Sequence, residues 1–331
     1  MLTRMMGGLF AMLVMALMAL PSSGCDAKQA EKNDMAGGGG NGAGTAWPRD
    51  GSKEKPLIVM LVPAEAGTED GTKADFLPIF NAVSRSTGLN FDIKVGQSYA
   101  AVVEGAANGL VDIAFYGAVT YMQAHGKGGA ELLAVAVEKG ESIYFSGVFV
   151  ANDSGINKAT DLKGKKVAVG DPNSTSSFAA PLAMLIAQGL DVTRDIEVQM
   201  TGSHSNSLKA LTEGHVQAAC LSFDVYEKAV GAKSIDPTKF KPLIKSDPIP
   251  YPPLAMHPKL PADIKKKLRD GFENVHKAQG ITPEMIRGYG GKKVDRYDTT
   301  VKHETMANAV KTMSAVTDEV KGEILKKAGK R

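Results

Sequence analysis

Four short stretches of the chain put hydroxyl, imidazole or carboxylate groups where chemistry could use them. The densest is 170–178, GDPNSTSSF, with successive hydroxyls at Ser174, Thr175, Ser176 and Ser177. It follows KKVAV, which reads as a strand, and leads into 177–188, whose spacing predicts a helix. The first N–H groups of a helix lack partners and carry partial positive charge, so they favour anions. One helix cap needs one hydroxyl; four in a row can supply donors to a tetrahedral oxyanion without a permanent charge. No lysine follows in the loop, so the G-x-x-x-x-G-K-[ST] pattern for nucleotide phosphates is absent.

The other three stretches are thinner. His204, in GSHSN, falls at a second helix start, where its imidazole could donate to the same kind of oxyanion. Tyr99 opens a helix after the strand FDIKV, and Tyr116 ends the strand DIAFY, so either phenol can face a cleft. Asp224 follows the strand VQAAC. A carboxylate there repels a fully ionised anion and suits a ligand that keeps an acidic proton or carries an amine. Each group also has a plain structural use, capping for Ser, Thr and Asp and packing for Tyr. Ser176, His204 and Asp224 are the raw parts of a hydrolase triad. However, the chain has no G-x-S-x-G elbow, and no Cys/His cluster suggests a metal. Neither a catalytic residue nor a cofactor is expected.

The elements that must position these groups alternate between two periods. Apolar strand runs (56–63, 91–95, 112–116, 132–137, 144–150, 165–169, 196–200, 216–221) alternate with helical patterns (72–87, 99–108, 177–188, 208–213). This is an α/β fold with mainly parallel sheets flanked by helices. The prolines of 237–261 predict extended, irregular chain, and helices follow at 261–278 and 303–328. Extended stretches near 144–152 and 247–256 read as two crossings between two lobes. Residues 55–148 with 250–331 form the first lobe and 149–249 the second. Ligands of such sheets bind outside the carboxyl ends of the strands, where all four stretches lie.

The chain begins with an address. In residues 1–24, Arg4 precedes the apolar run LFAMLVMALMAL, which small residues then break. That is a signal peptide, and the run is too short for a spanning helix of roughly twenty residues. Cys25 follows in SSGC, which is similar to a bacterial lipobox although Ser22 stands where Leu is usual. A lipidated Cys25 would begin the mature chain. Residues 25–54, with GGGGNGAG in the middle, would be its flexible tether. Cys220 is then unpaired and reads as a small buried hydrophobe. The 331 residues carry a net charge of only +3, with no basic stripe, which argues against a nucleic-acid partner.

The stretch 57–260 resembles the periplasmic phosphonate-binding proteins of ABC importers, within the wider phosphate, phosphite and phosphonate receptor group. GDPNSTSSF resembles the signature loop of that family. SYAAVVEGAANGLVDIAFYG resembles its first-lobe pattern, and GSHSNSL its His-containing helix start. The resemblance implies the two-lobed periplasmic binding protein fold of type II, joined by two crossover strands. It implies that Ser174, Thr175 and Ser176 grip the phosphonate oxygens, that His204 donates to them, and that Tyr99 and Tyr116 close from the opposite lobe. Asp224 falls where aminoalkylphosphonate-binding members place an acid against the ligand amine. Those members use a second acid after the return crossing, and Pro252 stands there in this chain. The departure favours phosphite or methylphosphonate. The implied protein is a monomeric lipoprotein on the extracytoplasmic face of a membrane that delivers its ligand to a permease with its ATPase. The alternatives are an aminoalkylphosphonate or phosphate receptor, or a ligand-sensing subunit for a receptor kinase.

Overall fold

The computed structural model describes residues 47–64 and 69–329. The export signal, Cys25 and the glycine run lie outside the described residues. The first segment runs β1 (Leu57–Leu61), α1 (Glu69–Thr87), β2 (Phe91–Val95), α2 (Tyr99–Ala107), β3 (Ile113–Phe115), α3 (Ala118–Gly126) and β4 (Glu131–Val137). The middle segment runs β5 (Ile143–Tyr144), β6 (Ser146–Ala151), β7 (Lys166–Val169), α4 (Ala180–Ala187), β8 (Glu197–Met200), α5 (His204–Thr212), β9 (Ala218–Ser222), α6 (Phe223–Gly231) and β10 (Phe240–Lys245). The chain then returns through β11 (Ile249–Pro250), β12 (Pro253–Met256), α7 (Ala262–Asn274), β13 (Arg296–Asp298), α8 (His303–Lys311) and α9 (Asp318–Ala328).

Two sheets organise the molecule. One has six strands in the order β13-β4-β12-β3-β1-β2, and the other has five in the order β10-β6-β9-β7-β8. Each is mixed rather than mainly parallel. The pairs of β1 with β2 and β3, and of β7 with β8 and β9, are parallel. The strands that enter or return from a crossing, β6 and β12, pair antiparallel with their neighbours. Helices supply the other layer. On α1, Phe76, Ile79, Phe80 and Val83 repeat at helical spacing and are buried in the first core.

The crossing is a small antiparallel ribbon of β5 and β11. Two expectations need correction here. The proline-rich 237–261 carries the strands β10, β11 and β12, and β12 lies between β3 and β4 inside the six-stranded sheet. Pro253 is tolerated because it is the first residue of its strand, and its carbonyl accepts the N–H of Tyr116 at 2.9 Å. The last helix does not stay with the first lobe. Val316 touches both cores, and Ile324 of α9 is buried in the second core with Leu182 and Val192.

The tether also ends earlier than residue 54. Trp47 Nε1 donates to Asp112 Oδ1 at 2.6 Å, Arg49 pairs with Asp112 Oδ2, and the N–H of Ile58 donates to that same oxygen at 2.7 Å. The Trp47 ring lies 4.2 Å from His257, centroid to centroid. A buried carboxylate needs such partners, so this arm is part of the folded body. Cys220 is fully buried in the second core.

Candidate functional site

Helix starts from both halves of the molecule meet in one place. After β7 the chain turns through Asp171–Pro172–Asn173 and enters a single wide helical turn, Thr175–Ala179, closed by the Ala179 N–H on the Ser174 carbonyl five residues back. Ser174 caps it, its Oγ accepting the Ser177 N–H at 3.2 Å. All four hydroxyl residues are buried. The Ser177 Oγ has no hydrogen-bond partner among the described residues. The loop can pack this tightly because Gly170 has no Cβ to collide with the Ser177 Oγ.

Direct bonds cross the cleft to this loop. The N–H of Val119, in the first turn of α3, donates to Thr175 Oγ1 at 3.0 Å, and that of Tyr99, the first residue of α2, to Asp171 Oδ2 at 3.4 Å. Gln123 Nε2 donates to Asn173 Oδ1 at 3.2 Å. At the start of α5 the His204 N–H donates to the carbonyl of Ala64 at 3.2 Å. The positive ends of several helix dipoles therefore point at one small volume. Burial pushes the Asp171 carboxyl up from its ordinary value, only partly offset by the N–H groups it accepts.

His204 is set as a hydrogen-bond donor. Complete burial pushes its pKa down to about 3, so the ring is neutral. Its Nδ1 accepts the backbone N–H of Ser222 at 3.0 Å. The proton of a neutral ring then sits on Nε2, which lies 3.4 Å from the Ser174 Oγ. No carboxylate orients this imidazole through Nδ1, so the hydrolase arrangement of Ser176, His204 and Asp224 is not present.

Of the expected contacts, Ser174, Thr175, Ser176 and His204 come together. Tyr99 faces the loop from the first lobe, its phenol 2.6 Å from that of Tyr289. Tyr116 is buried, and burial raises its phenol well above the ordinary value. It follows β3 directly, one residue before Gly117, where a Cβ would lie 2.7 Å from Thr175 Oγ1. Asp224 does not stand free: its Oδ1 pairs with Lys292 Nζ at 2.7 Å. Reading the sequence missed Tyr144, buried in the crossing ribbon, together with Asp171, Tyr289 and Lys292. An apolar cavity of about 280 Å³ opens beside Tyr289, between Leu61, Phe76 and Phe115. None of the expected contacts lines it, and Asp75 and Lys228 stand together in its wall.

Residues 61–298 match the family model described as the periplasmic substrate-binding protein of phosphonate ABC transporters. The chain belongs to this family. It is a substrate-binding component of an ABC importer rather than an enzyme, and it acts outside the cytoplasm. The phosphate-import protein PhnD of Mycolicibacterium smegmatis is 30% identical over 230 residues, spanning 65% of this chain and 70% of that protein. The phosphonates-binding periplasmic protein of Escherichia coli is 28% identical over 240 residues, 70% of this chain and 68% of that one.

Solved structures agree on the fold. A binding component of an ABC phosphonate transporter from Pseudomonas aeruginosa superposes with a TM-score of 0.65 at 21% identity, covering 83% of this chain and 99% of the other. PhnD1 of Prochlorococcus marinus, in complex with methylphosphonate, gives 0.67 at 16% identity, covering 79% and 97%.

Proposed function

We propose that the protein captures a small phosphorus oxyanion between its lobes, gripped by Ser174, Thr175, Ser176 and His204 from one side and by Tyr99 and Tyr116 from the other. The observation that carries this reading is the fixed Nε2–H of His204 beside the hydroxyl turn. Neutral donors at helix starts, rather than lysines or arginines, suit a tetrahedral anion that must also be released to a permease. Closure follows from binding, because groups of both lobes reach the ligand only when the cleft is shut.

The preferred ligands are phosphite, methylphosphonate and phosphate. The Mycolicibacterium smegmatis relative is a phosphate-import protein, and the Prochlorococcus marinus structure holds methylphosphonate; either anion fits a cradle of neutral donors. Attachment to the membrane through lipid on Cys25, as a monomer that feeds the permease and its ATPase, completes the reading.

Calorimetric titration with phosphite, methylphosphonate, phosphate and sulfate tests it. Binding of at least one phosphorus oxyanion is expected, reduced a hundredfold or more by Thr175→Ala with His204→Ala, about 3 kcal/mol. Full affinity in that double variant would place the ligand elsewhere. Cys25→Ser is expected to release the protein from the membrane fraction.

A further inference from the structure

Beside the cradle lies a charge cluster built from both lobes around one buried carboxylate. Asp224 stands in the first turn of α6, two residues after Ser222, whose N–H holds His204. Lys292 follows the short turn Tyr289–Gly291, whose Tyr289 phenol meets that of Tyr99. Its ammonium lies 2.7 Å from Asp224 Oδ1 and 2.8 Å from Glu138 Oε2, with Glu227 Oε2 at 4.0 Å. The Asp224 side chain is only 7% exposed. Its second oxygen, Oδ2, is buried and has no hydrogen-bond partner among the described residues. Burial raises the Asp224 carboxyl against the pull of Lys292. Burial also opposes the charge on Lys292, but its bonds to Asp224 and Glu138 outweigh this and keep the amine protonated.

The cluster lies close to the ligand contacts. Asp224 is two residues from Ser222, whose N–H holds the His204 ring, and Lys292 is three residues from Tyr289, whose phenol meets that of Tyr99. A substituent leaving the phosphorus on this side would thus run toward Asp224.

We propose that Lys292 fills, from within the protein, an ammonium site formed by Asp224 and Glu138, and so makes the receptor select phosphorus oxyanions whose substituent carries no positive charge. The proposal rests on the cleft being the oxyanion site. A ligand amine arriving here meets carboxylates already engaged and a cation of its own sign. Like-charge juxtaposition of this kind is how sites reject a competitor. A neutral substituent meets no such penalty, and a bare anion does not reach the cluster.

The test is calorimetric and begins with the unaltered protein. Methyl-, ethyl-, 2-hydroxyethyl- and 2-aminoethylphosphonate are titrated in turn. The hydroxyethyl and aminoethyl compounds match in size, so the aminoethyl compound is expected to bind at least about tenfold more weakly. Equal affinity for the two overturns the proposal without any variant. In Lys292→Ala the ratio is expected to shift toward the amine by about tenfold or more, while Lys292→Arg leaves it where it was. A Lys292→Ala protein that binds methylphosphonate normally and keeps the original ratio also overturns it. Failure of every protein to bind phosphite, phosphate or any of the phosphonates refutes the oxyanion reading itself, and the proposal with it.

Discussion

Thr175 Oγ1 accepts the backbone N–H of Val119 at 3.0 Å, joining a loop of one lobe to a helix start of the other across 56 residues of chain. The bond exists only when the lobes are together. Thr175→Val keeps the shape but removes the oxygen, leaving a buried N–H unpaired. Oxyanion affinity is expected to fall by about 2 kcal/mol, read by titration, while the unliganded melting temperature moves little. Unchanged affinity would mean the hydroxyl has no part in closure or in binding.

Gly117 gives a steric version of the same test. Its φ of −78° suits any residue, so an alanine there brings no backbone strain. Its Cβ would instead lie 2.7 Å from Thr175 Oγ1. Gly117→Ala is expected to hold the lobes apart, weakening binding at least about tenfold and enlarging the radius of gyration by solution scattering. A variant that closes and binds as before would show that the loop can yield.

The N-terminal arm predicts a stability effect far from the ligand. Arg49→Ala strips a partner from Asp112, whose side chain is 0% exposed. The loss is expected to be about 3 kcal/mol in denaturant unfolding. A chain started at Lys53 should unfold more easily than one started at Thr45, since it lacks both Trp47 and Arg49. Equal midpoints would mean the arm is bound only loosely.

His204 sets a pH dependence whose sign is fixed. Its pKa falls from the ordinary 6.5 to about 3 on folding, so the unfolded chain binds the proton first. Stability from this group is complete above pH 6.5 and is lost as pH falls toward 3, at about 1.4 kcal/mol per pH unit. His204→Gln is expected to flatten that limb between pH 6.5 and 4. Parallel limbs in the two proteins would mean the buried imidazole takes up a proton in the folded state.

Much of this site was legible in the sequence because it is built from helix starts that follow strands. Ser174, Thr175, Ser176 and His204 could be grouped from local pattern alone, since each sits at a post-strand turn. Contacts across the cleft could not be read. Lys292 lies 68 residues from Asp224 in GGKKVD, which looks like a solvated turn. Tyr144 looked like the start of one continuous strand, whereas it belongs to the crossing ribbon and β6 begins at Ser146. The prolines of 237–261 concealed β10 and β12, because a residue that cannot donate a ladder bond speaks against a strand unless it falls at a start or an edge. In Pro253–Met256 a continuous apolar run carried the contrary signal, and burial in the sheet decided the outcome.

The third passage between the lobes, at Val316, changes what movements the joint permits. Strands β5 and β11 lie side by side, and α8, which precedes that passage, packs against β11. Two linkers could twist about each other and let one jaw rotate against its mate. Three running together act as a leaf spring, compliant to bending and stiff to torsion. The jaws therefore meet in the same register at each closure, and Thr175 finds Val119 without a search.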